Sequence, residues 1–486
     1  MKKMLEKVQA DRLAKLRKTR ELGIDPYGLR YDTAEAIGGV LARFEEDKEG
    51  QSADAAGRLV LLRDMGKMIF AHIRDQGAQM QIALRKGALD ERSWKLAKLL
   101  DLGDIVAVAG PLSRTRTGEI TIWAERLTLL CKSLNPMPEK FHGLQDVETR
   151  YRRRYLDLMT NPGAMANFKK RIAIIDHMRS ALKGKGFWEV ETPMMQSLYG
   201  GAAARPFVTH HNTLDTDLYM RISPELYLKR LLVGGMEKVF EINRNFRNEG
   251  LDTRHNPEFT MMELYQAYGD YEVMMDITEE LISTAAGEVC GSVRLPYGDV
   301  EIDYSRPWRR ATYADLLAEH AQVAMADAEG VRAKARELGM EESDKDDAVV
   351  INELFDQTVE RNLVQPTFVK DYPADLCPLT RRKAGDASVA ERFELFVAGM
   401  EIANAYTELN DPAVQEENFA RQLKGEGDGQ TMRVMDDDFI TALRHGMPPA
   451  GGLGVGIDRV VMLLTDTPSI RDVILFPVLR SPGRGG

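Results

Sequence analysis

Two segments near the middle of the chain alternate polar and apolar residues with the period of two that is typical of β-strands. In residues 239–249 one face holds Phe240, Ile242 and Phe246, and the other holds Glu241, Asn243, Asn245, Arg247 and Glu249. After a polar loop, one face of a second strand holds Phe259, Met261, Glu263 and Tyr265. These faces predict a pocket for a nucleotide and a charged small molecule. An exposed hairpin with a solvated charged face is the alternative for this pattern alone.

Residues 392–397 and 401–408 predict two more strands, joined by a tight turn near Ala398 and Gly399. Such a turn makes Glu394 and Glu401 opposite or diagonal neighbours, and like charges placed so are unfavourable unless something neutralises them. Mg²⁺ would do so, because it takes one or two carboxylates and completes its shell with water and phosphates. Pairing of each carboxylate with an arginine such as Arg392 remains the alternative.

A glycine-rich run, residues 448–459, precedes the apolar segment 460–464. Its spacing differs from the dinucleotide fingerprint, since Arg459 stands three residues after Gly456, and no βαβ unit surrounds it. A Rossmann fold is therefore excluded. Glycines allow the backbone to approach a flat ligand closely, and an arginine at the start of a helix can reach a phosphate. Together with Arg247 and the acidic strands, this run favours a binding site over an exposed hairpin.

Short strands dominate the part of the chain before residue 135. Five or six strands and one helix, Glu91 to Leu100, are predicted between Gly57 and Leu130, which indicates a small β-barrel of the oligonucleotide-binding (OB) type. Within it, Phe70 could stack on a base while Gln81 and Glu125 contact the base edge. A core position is the alternative for Phe70.

Helical periodicity and breaks in it define the remaining organisation. Residues 1–20 carry eight Lys or Arg and predict an amphipathic basic helix, either a surface helix or a contact for RNA phosphates. A long helix at 164–185 is followed by a strand, Trp188 to Thr192, whose Pro193 places it at a sheet edge or a subunit interface. The predicted divisions are a lead-in at 1–50, a barrel at 51–135, a linker at 136–155 and a larger domain at 156–486, with a charge-rich helical insertion at about 310–365 and a frayed tail at Ser481–Gly486.

Composition narrows the class of protein. The 486 residues are 44% hydrophobic with a mean hydropathy of −0.33, and no run approaches the roughly 18 apolar residues of a membrane span. The start of the chain has no hydrophobic signal core, which predicts a cytoplasmic protein. The three cysteines are distant in sequence, so buried free thiols are expected rather than disulfides or zinc. A net charge of −10 argues against indiscriminate nucleic-acid binding. His210 and His211 should point to opposite faces of a strand, which favours a structural role over a metal site.

Taken together, these motifs resemble those of the class II aminoacyl-tRNA synthetases. Residues 246–249 with the His255 loop are similar to the second signature motif of that class, residues 452–459 to the third, and the helix and strand that end at Pro193 to the first. Residues 200–207, 223–229 and 400–410 more narrowly resemble lysyl-tRNA synthetases of the bacterial type. The resemblance covers essentially the whole chain. It implies an α+β protein with an N-terminal OB-fold barrel and a catalytic domain built on an antiparallel sheet flanked by helices.

The resemblance also implies an activity and its residues. Lysine and ATP give lysyl-adenylate and pyrophosphate, and the lysyl group then passes to the 3′ end of tRNA(Lys). Arg247 and Arg459 are the implied catalytic residues. The implied ATP-binding set is Arg247, Glu249, His255, Asn256, Phe259, Gly456 and Arg459, and the lysine-binding set is Gly201, Glu225, Arg247, Glu263, Tyr265, Asn404, Tyr406 and Glu408. Glu394 and Glu401 would hold Mg²⁺, up to three ions per subunit; Phe70, Gln81 and Glu125 would bind the anticodon; and the protein would be a homodimer without a membrane partner.

Alternatives within this class are separated by charge and by the barrel. An aspartyl or asparaginyl enzyme must offer cations or amide donors to its substrate, whereas Glu225, Glu263 and Glu408 are acidic. A relative that lysylates protein would lack the barrel, and an RNA-binding protein without catalysis would not need Arg247 and Arg459. Two departures from the pattern, Arg444 in place of glutamate and Tyr406 in place of phenylalanine, touch no motif residue.

Overall fold

A computed structural model of the chain describes residues 2–48, 50–138, 144, 146–202, 204–343, 345–424 and 435–480. The predicted tail at Ser481–Gly486 and Asp344 of the insertion lie outside the described residues. The chain divides into two compact units, Met1–Gln145 and Asp146–Gly486. Among the described residues, no helix is long and apolar enough to cross a membrane.

The first unit is the predicted barrel. Its six strands have the order β1-β2-β3-β5-β4-β6, and an additional pairing of β1 with β4 closes the sheet on itself. The elements are α1 (Lys2–Glu21), α2 (Ile37–Ala42), β1 (Ser52–Asp64), β2 (Met68–Arg74), β3 (Gln79–Arg85), α3 (Glu91–Ala97), β4 (Ile105–Arg114), β5 (Ile120–Ala124) and β6 (Arg126–Cys131). The predicted OB-fold strands and helix are confirmed, because alternate apolar residues such as Leu59, Ile82 and Val106 fill the interior.

Helix α1 buries only part of its predicted apolar face, which holds Leu5, Val8, Leu13 and Leu16. Leu5 and Leu13 are exposed, whereas Arg12, Leu16 and Thr19 are buried. The Arg12 guanidinium donates to the carbonyl oxygens of Leu102, Ser133 and Asn135. The spacing of the leucines therefore did not predict which residues anchor the helix, since the buried arginine is held by three carbonyl oxygens.

The second unit is built on a nine-stranded sheet with the order β15-β16-β18-β19-β20-β12-β11-β7, to which β17 adds beside β18. Its described strands are β7 (Trp188–Glu189), β8 (Met195–Gln196), β9 (Val208–His211), β10 (Thr216–Met220), β11 (Lys238–Phe246), β12 (Glu258–Ala267), β13 (Arg294–Tyr297), β14 (Val300–Asp303), β15 (Arg309–Thr312), β16 (Thr367–Pro373), β17 (Arg382–Lys383), β18 (Asp386–Val397), β19 (Met400–Thr407) and β20 (Ala450–Gly456). Strands β8 to β10 form a small second sheet, and β13 pairs with β14.

The helices of this unit in the described residues are α4 (Val147–Arg152), α5 (Arg154–Thr160), α6 (Pro162–Gly184), α7 (Glu225–Val233), α8 (Tyr271–Cys290), α9 (Tyr313–Ala321), α10 (Ala328–Glu337), α11 (Asp347–Thr358), α12 (Pro412–Lys424), α13 (Asp437–Arg444), α14 (Ile457–Leu464) and α15 (Ile470–Val473). Helices α4 and α5 lie where a linker was predicted, so the second half of that segment is helical rather than irregular.

The predicted antiparallel sheet is mixed. The strands from β16 to β11 pair antiparallel, but β7 runs parallel to β11 and β15 runs parallel to β16. Both parallel pairs are at the ends of the sheet, and each has a long crossover connection that contains a helix: β8 to β10 and α7 connect β7 to β11, and α9 to α11 connect β15 to β16. As predicted, the strand before Pro193 is an edge strand, because β7 is the last in the order.

The two faces of the sheet have different roles. Helices α6, α8 and α14 cover one face, where Met262 and Leu264 of β12 pack in the main core. On β12 the alternate residues Met261, Glu263 and Tyr265 point to the other face, against which α7 packs. The period of two on β12 therefore separates the core from a polar site.

The insertion is helical as predicted, but it begins in the main sheet. Its first residues form β15, and α9 to α11 then build a smaller core in which Tyr313 stacks on Phe355, with ring centroids 4.1 Å apart. In the acidic run, Glu342 pairs with Arg332 and Arg336. These charges therefore hold the helices together rather than form a catalytic cluster.

Candidate active site

A cavity of about 1540 Å³ opens on the face of the large sheet that α7 covers. Pockets for single small ligands have volumes of roughly 300–1,000 Å³, so this one has room for more than one ligand. It is lined by fourteen of the residues predicted for this site: Gly201, Glu225, Arg247, Glu249, His255, Asn256, Phe259, Glu263, Tyr265, Glu401, Asn404, Tyr406, Gly456 and Arg459. Glu394 and Glu408 lie beside this lining.

The polar face of β12 lines the cavity as predicted, whereas on β11 only the end of the strand reaches it. Phe259, Glu263 and Tyr265 all line the cavity. On β11, Glu241 faces a separate hollow and pairs with buried Arg221 at 2.7 Å. The strand ends at Phe246, and Arg247 reaches the cavity from the turn that follows. The predicted polar face of β11 is therefore wrong for Glu241 and Asn243.

Three buried carboxylates form the acidic end of the site. Glu225 begins α7, Glu263 is on β12 and Glu408 follows β19, and each is at most 4% exposed. Ser223 Oγ donates to Glu263 Oε1 at 3.0 Å. Burial and the nearby Glu225 charge raise the pKa of Glu263 to about 8. A carboxyl held in this way is poised to accept a cation in exchange for its proton.

A buried ammonium lies among these carboxylates. Lys229, one turn after Glu225 on α7, is 2.6 Å from Glu225 Oε1 and also contacts Glu408 Oε2. Burial lowers the pKa of Lys229, but the two carboxylates outweigh this and the net shift is upward. Burial also raises the pKa of Glu408 to about 8, although Lys229 opposes the shift. Glu408 Oε1 has no hydrogen-bond partner within the described residues.

Glycines make close packing possible at this end. Strand β20 lies between β12 and β19, and a Cβ on Gly452 would overlap Glu408 Oε1 and come within 2.5 Å of the Tyr265 ring. Gly201 has φ of 82°, and its Cβ would be 2.9 Å from that of Glu225. The floor of the cavity is therefore backbone, as the glycine-rich run predicted, and no βαβ unit surrounds that strand.

At the other end, two arginines face the cavity. The Arg247 guanidinium lies over the Phe259 ring, 5.1 Å from its centroid, and its buried Nε has no hydrogen-bond partner among the described residues. Arg459, in the first turn of α14, donates to the Glu401 carbonyl oxygen at 2.6 Å, and its Nη2 is 3.2 Å from His255 Nε2. Such fixed planar donors suit phosphate and carboxylate groups.

The turn between β18 and β19 is as predicted, with Ala398 and Gly399 both at positive φ. A bulge in the pairing makes Glu394 and Glu401 diagonal neighbours. Glu394 contacts Arg392 and accepts a hydrogen bond from Tyr372 at 2.9 Å. Burial and the Glu401 charge nevertheless raise the pKa of Glu394 to about 7, despite Arg392. The arginine alternative is thus realised for both carboxylates, since Glu401 Oε2 also lies 3.4 Å from Arg459 Nη1.

The described residues contain no group of three or more His, Cys, Asp or Glu that could hold a metal by themselves. This fits Mg²⁺, which needs only one or two carboxylates when substrate phosphates supply the rest. His210 and His211 are exposed on β9 and bond within their own hairpin, His210 to Asp217 and His211 to the Leu214 amide.

Comparison with known proteins identifies the family. The model described as "tRNA synthetases class II (D, K and N)" matches residues 146–480, and that of an "OB-fold nucleic acid binding domain" matches residues 55–130. Lysine–tRNA ligase of Pelotomaculum thermopropionicum is 52% identical over 98% of this chain and 95% of its own length. Those of Carboxydothermus hydrogenoformans and Staphylococcus aureus are 51% and 50% identical, each over 96% of this chain and 97% of their own. The chain belongs to the lysine–tRNA ligase family of class II synthetases.

Members of this family use ATP. The three segments that resemble the signature motifs contribute the adjacent strands β20, β12, β11 and β7 of the large sheet, with α6 before β7 and α14 after β20. The expected family and its two folds are confirmed.

In the barrel, the three residues predicted to bind the anticodon have different surroundings. Phe70 is partly exposed and meets Trp123 edge to face, with centroids 6.3 Å apart. Gln81 donates to Glu119 Oε2 at 2.7 Å and accepts from Thr121. Glu125 is exposed between β5 and β6. Glu119, which also contacts His72, is thus the carboxylate beside Gln81, and Glu125 has no such contact in the described structure.

Three further residues escaped the sequence reasoning. Lys229 lies within the motif at residues 223–229 and Asp458 lies next to Arg459, but neither was assigned a role. Glu119 lies in none of the predicted motifs. Asp458 is buried, pairs with Arg171 at 2.5 Å and accepts from the Thr260 amide, so it fixes the start of α14 against β12. The useful signal for Lys229 was its spacing of four from Glu225 on a helix. All three cysteines are free as expected, but only Cys377 is buried.

Proposed function

We propose that the protein activates L-lysine with ATP to lysyl-adenylate, releasing pyrophosphate, and then transfers the lysyl group to the 3′ end of tRNA(Lys). The observation that carries this proposal is the content of one cavity: two arginines at one end and three buried carboxylates at the other. Few small molecules carry both anionic groups for the arginines and ammonium groups for the carboxylates. Lysine presents two ammonium groups and a carboxylate, and ATP presents phosphates.

In the first step, a lysine carboxylate oxygen attacks the α-phosphorus of ATP, and the bond from that phosphorus to the bridging oxygen of pyrophosphate breaks. Both reactants are anions, so positioning and electrostatics dominate the barrier. We assign Arg247 to bridge the lysine carboxylate and the α-phosphate, and Arg459 to hold the γ-phosphate. Phe259 would stack on adenine. Glu249, His255, Asn256 and Gly456 would complete the ATP site.

Lysine selection belongs to the acidic end. Glu263, Tyr265 and Glu408 would bind the side-chain ammonium, and Gly201 and Glu225 would lie beside the α-amino group, with Arg247, Asn404 and Tyr406 completing the lysine site. Support comes from the unpartnered Glu408 oxygen and the raised pKa of Glu263. An aspartate or asparagine side chain would leave these buried carboxylates without a partner, at a large cost.

Mg²⁺ is proposed to bind at Glu394 and Glu401, and support comes from the pKa of Glu394, which burial and the Glu401 charge raise despite Arg392. When bound there with phosphates, it would neutralise charge that develops on the leaving pyrophosphate. Up to three ions per subunit are proposed. The carboxylates of this chain would then orient the phosphates toward Arg459, which already contacts Glu401.

For tRNA, we propose that the barrel at 51–135 binds the anticodon through Phe70, Gln81 and Glu125, with the basic lead-in at 1–50 before it and the catalytic domain at 156–486 after the linker segment. The contact between Gln81 and Glu119 supports adding Glu119 to this set. An amide and a carboxylate on adjacent strands can both contact one base edge.

A homodimer is also proposed. Trp188 on the edge strand β7 and Ile172 on α6 are 62% and 69% exposed, which favours burial by a second copy. Sedimentation that shows only monomer at micromolar concentration would contradict this. A cytoplasmic location is proposed because tRNA charging supplies translation there.

The experiment that tests the function is ATP–pyrophosphate exchange with a panel of amino acids. Lysine should drive exchange, and aspartate and asparagine should not. Exchange with either of those two but not with lysine would exclude the proposal, as would a failure of all three with ATP bound. Transfer is then tested by charging of purified tRNA(Lys).

A further inference from the structure

Helix α7 places a lysine of the chain itself against the carboxylates at the acidic end of the cavity. Lys229 is fully buried, and its Nζ lies between Glu225 and Glu408. The Tyr406 ring is 5.5 Å away and the Phe439 ring 6.0 Å. Both of its carboxylate partners are assigned to substrate lysine by the proposed function. The Lys229 ammonium therefore already neutralises one of the two negative charges that these carboxylates carry.

Counting the charges at this end gives a simple result. The titratable groups that face Lys229 are Glu225 on its own helix, Glu263 and Tyr265 on β12, and Tyr406 and Glu408 at the end of β19. The tyrosines are neutral, since burial raises the pKa of both Tyr265 and Tyr406. Arg221 and Arg247 also act on Glu263, but Arg221 is paired with Glu241 and Arg247 is assigned to the substrate carboxylate, so neither changes the count. Three carboxylates and one ammonium leave two negative charges uncompensated.

We propose that Lys229 is a specificity-determining residue: its ammonium fixes Glu225 and Glu408 in place and sets the net charge of the pocket to match the two ammonium groups of one lysine molecule. This inference rests on the proposed function and deepens it. Lys229 is a positioning residue, because it acts through the carboxylates and does not line the cavity.

The empty pocket must balance the same charges with protons. Two carboxyls, Glu263 and Glu408, have their pKa raised to about 8, so both are largely protonated at pH 7 in the absence of substrate. Two ammonium groups entering the pocket would displace these protons. Lysine binding should thus release protons at neutral pH, up to two per molecule. Without Lys229, a third carboxyl would hold a proton, and two ammonium groups would displace only two of the three.

The test is calorimetric titration of lysine into the full-length enzyme in buffers of different ionisation enthalpy, which gives the number of protons released. Wild type should release protons at pH 7. Lys229→Met should release no more than wild type, because two ammonium groups displace at most two protons, but should bind lysine more weakly, on the order of 100-fold, because two buried carboxylates lose their partner. Its affinity for ATP should change less than threefold.

A second variant restores the charge balance. Lys229→Met with Glu408→Gln has two carboxylates and no ammonium, the same net charge as wild type, so it should release the wild-type number of protons even though its affinity stays low. Glu408→Gln alone should release fewer protons than wild type. A merely structural lysine would not produce this order. If Lys229→Met is too unstable to purify, the comparison of the double variant with Glu408→Gln alone still tests the inference.

A matched control is Lys370→Met, which removes an ammonium paired with Glu272 outside the cavity lining; proton release and lysine affinity should be unchanged. The inference is wrong if Lys229→Met matches wild type in both quantities, or if the double variant behaves like Glu408→Gln alone. Wild-type enzyme that fails to bind lysine would instead contradict the proposed function, so the two failures are distinguishable.

Discussion

The guanidinium of Arg247 lies over the ring of Phe259, 5.1 Å from its centroid, although the two residues belong to opposite sides of the turn between β11 and β12. A cation above an aromatic face is attracted to it, by about 0.5–2 kcal/mol depending on exposure. This contact therefore holds the proposed donor for phosphates beside the proposed surface for adenine.

Arg247→Lys keeps the charge but loses the planar fork. We expect kcat/KM for lysine-dependent exchange to fall on the order of 100-fold, because an ammonium cannot bridge two anions with fixed parallel donors. The measurement is pyrophosphate exchange under saturating ATP. Arg254→Lys, which changes an exposed arginine of the same loop, serves as the matched control and should change the rate much less. Equal losses in the two variants would contradict the role of Arg247.

Glu263→Gln separates lysine binding from ATP binding. The variant should raise KM for lysine by at least about 100-fold, since an amide cannot balance an ammonium in a buried site, and should leave ATP affinity nearly unchanged. Exchange kinetics and direct ATP binding provide the two numbers. Parallel losses of both would count against the assignment of Glu263.

The same carboxyl makes stability depend on pH. Its pKa is raised in the folded protein to about 8 from an ordinary value of 4.5, so the folded state binds the proton more tightly than the unfolded state does. The resulting stabilisation is complete below pH 4.5 and is lost as pH rises to about 8. Relative to Glu263→Gln, the free energy of unfolding of lysine-free wild type should fall by up to about 1.4 kcal/mol per pH unit across this window.

Denaturant titrations of both proteins at pH 5.5, 6.5 and 7.5 measure this difference. Saturating lysine should reduce the slope, because its ammonium replaces the proton. A difference between the two proteins that does not vary with pH would show that Glu263 is ionised throughout and would remove the physical basis of the prediction.

In the barrel, Glu119→Gln and Glu125→Gln form a matched pair. Glu119 is bonded to Gln81, whereas Glu125 is exposed, so the first change should weaken tRNA charging roughly tenfold and the second less than twofold. Charging at limiting tRNA(Lys) is the readout, with lysine-dependent exchange as the internal control. The reverse order would restore Glu125 as the carboxylate that contacts the anticodon.

Phe70→Ala should lower kcat/KM for tRNA by roughly 5- to 150-fold, the value of one stacked base, without changing exchange. Trp94→Ala, on α3 of the same unit, removes another partly exposed aromatic ring and should leave charging unaffected. A matching fall of exchange and charging in Phe70→Ala would indicate a folding defect rather than lost stacking.

Local pattern predicted the elements well where the chain alternates strictly. The strands of the barrel, the β18–β19 hairpin and the cavity face of β12 all follow from a period of two, because burial on one side of a sheet imposes it. The same rule places Glu241 and Arg247 on one face of a strand, so it could not predict that they face different places. The strand stops at Phe246, so the residues before and after this point face different places.

Long-range pairing accounts for most of what the sequence could not predict. Glu119 meets Gln81 because β3 and β5 pair in parallel, and no local signal specifies that register. Lys229 meets Glu408 only when α7 packs against the sheet, across 179 residues of chain. Nothing in the helix pattern separates an internal counter-ion from an ordinary i,i+4 surface pair, since the two differ only in burial.

The glycine strand β20 has a consequence for substrates of the wrong length. A floor made of side chains can change rotamers and partly fill a gap, whereas a floor made of backbone has no rotamers, and it moves only if β12 and β19 move with it. At the proposed lysine site, ornithine, shorter than lysine by one methylene, would leave its ammonium about 1.3 Å short of the carboxylates, and the floor could not rise to close the gap. We therefore expect the strand without side chains to act as a fixed reference for the length of the substrate.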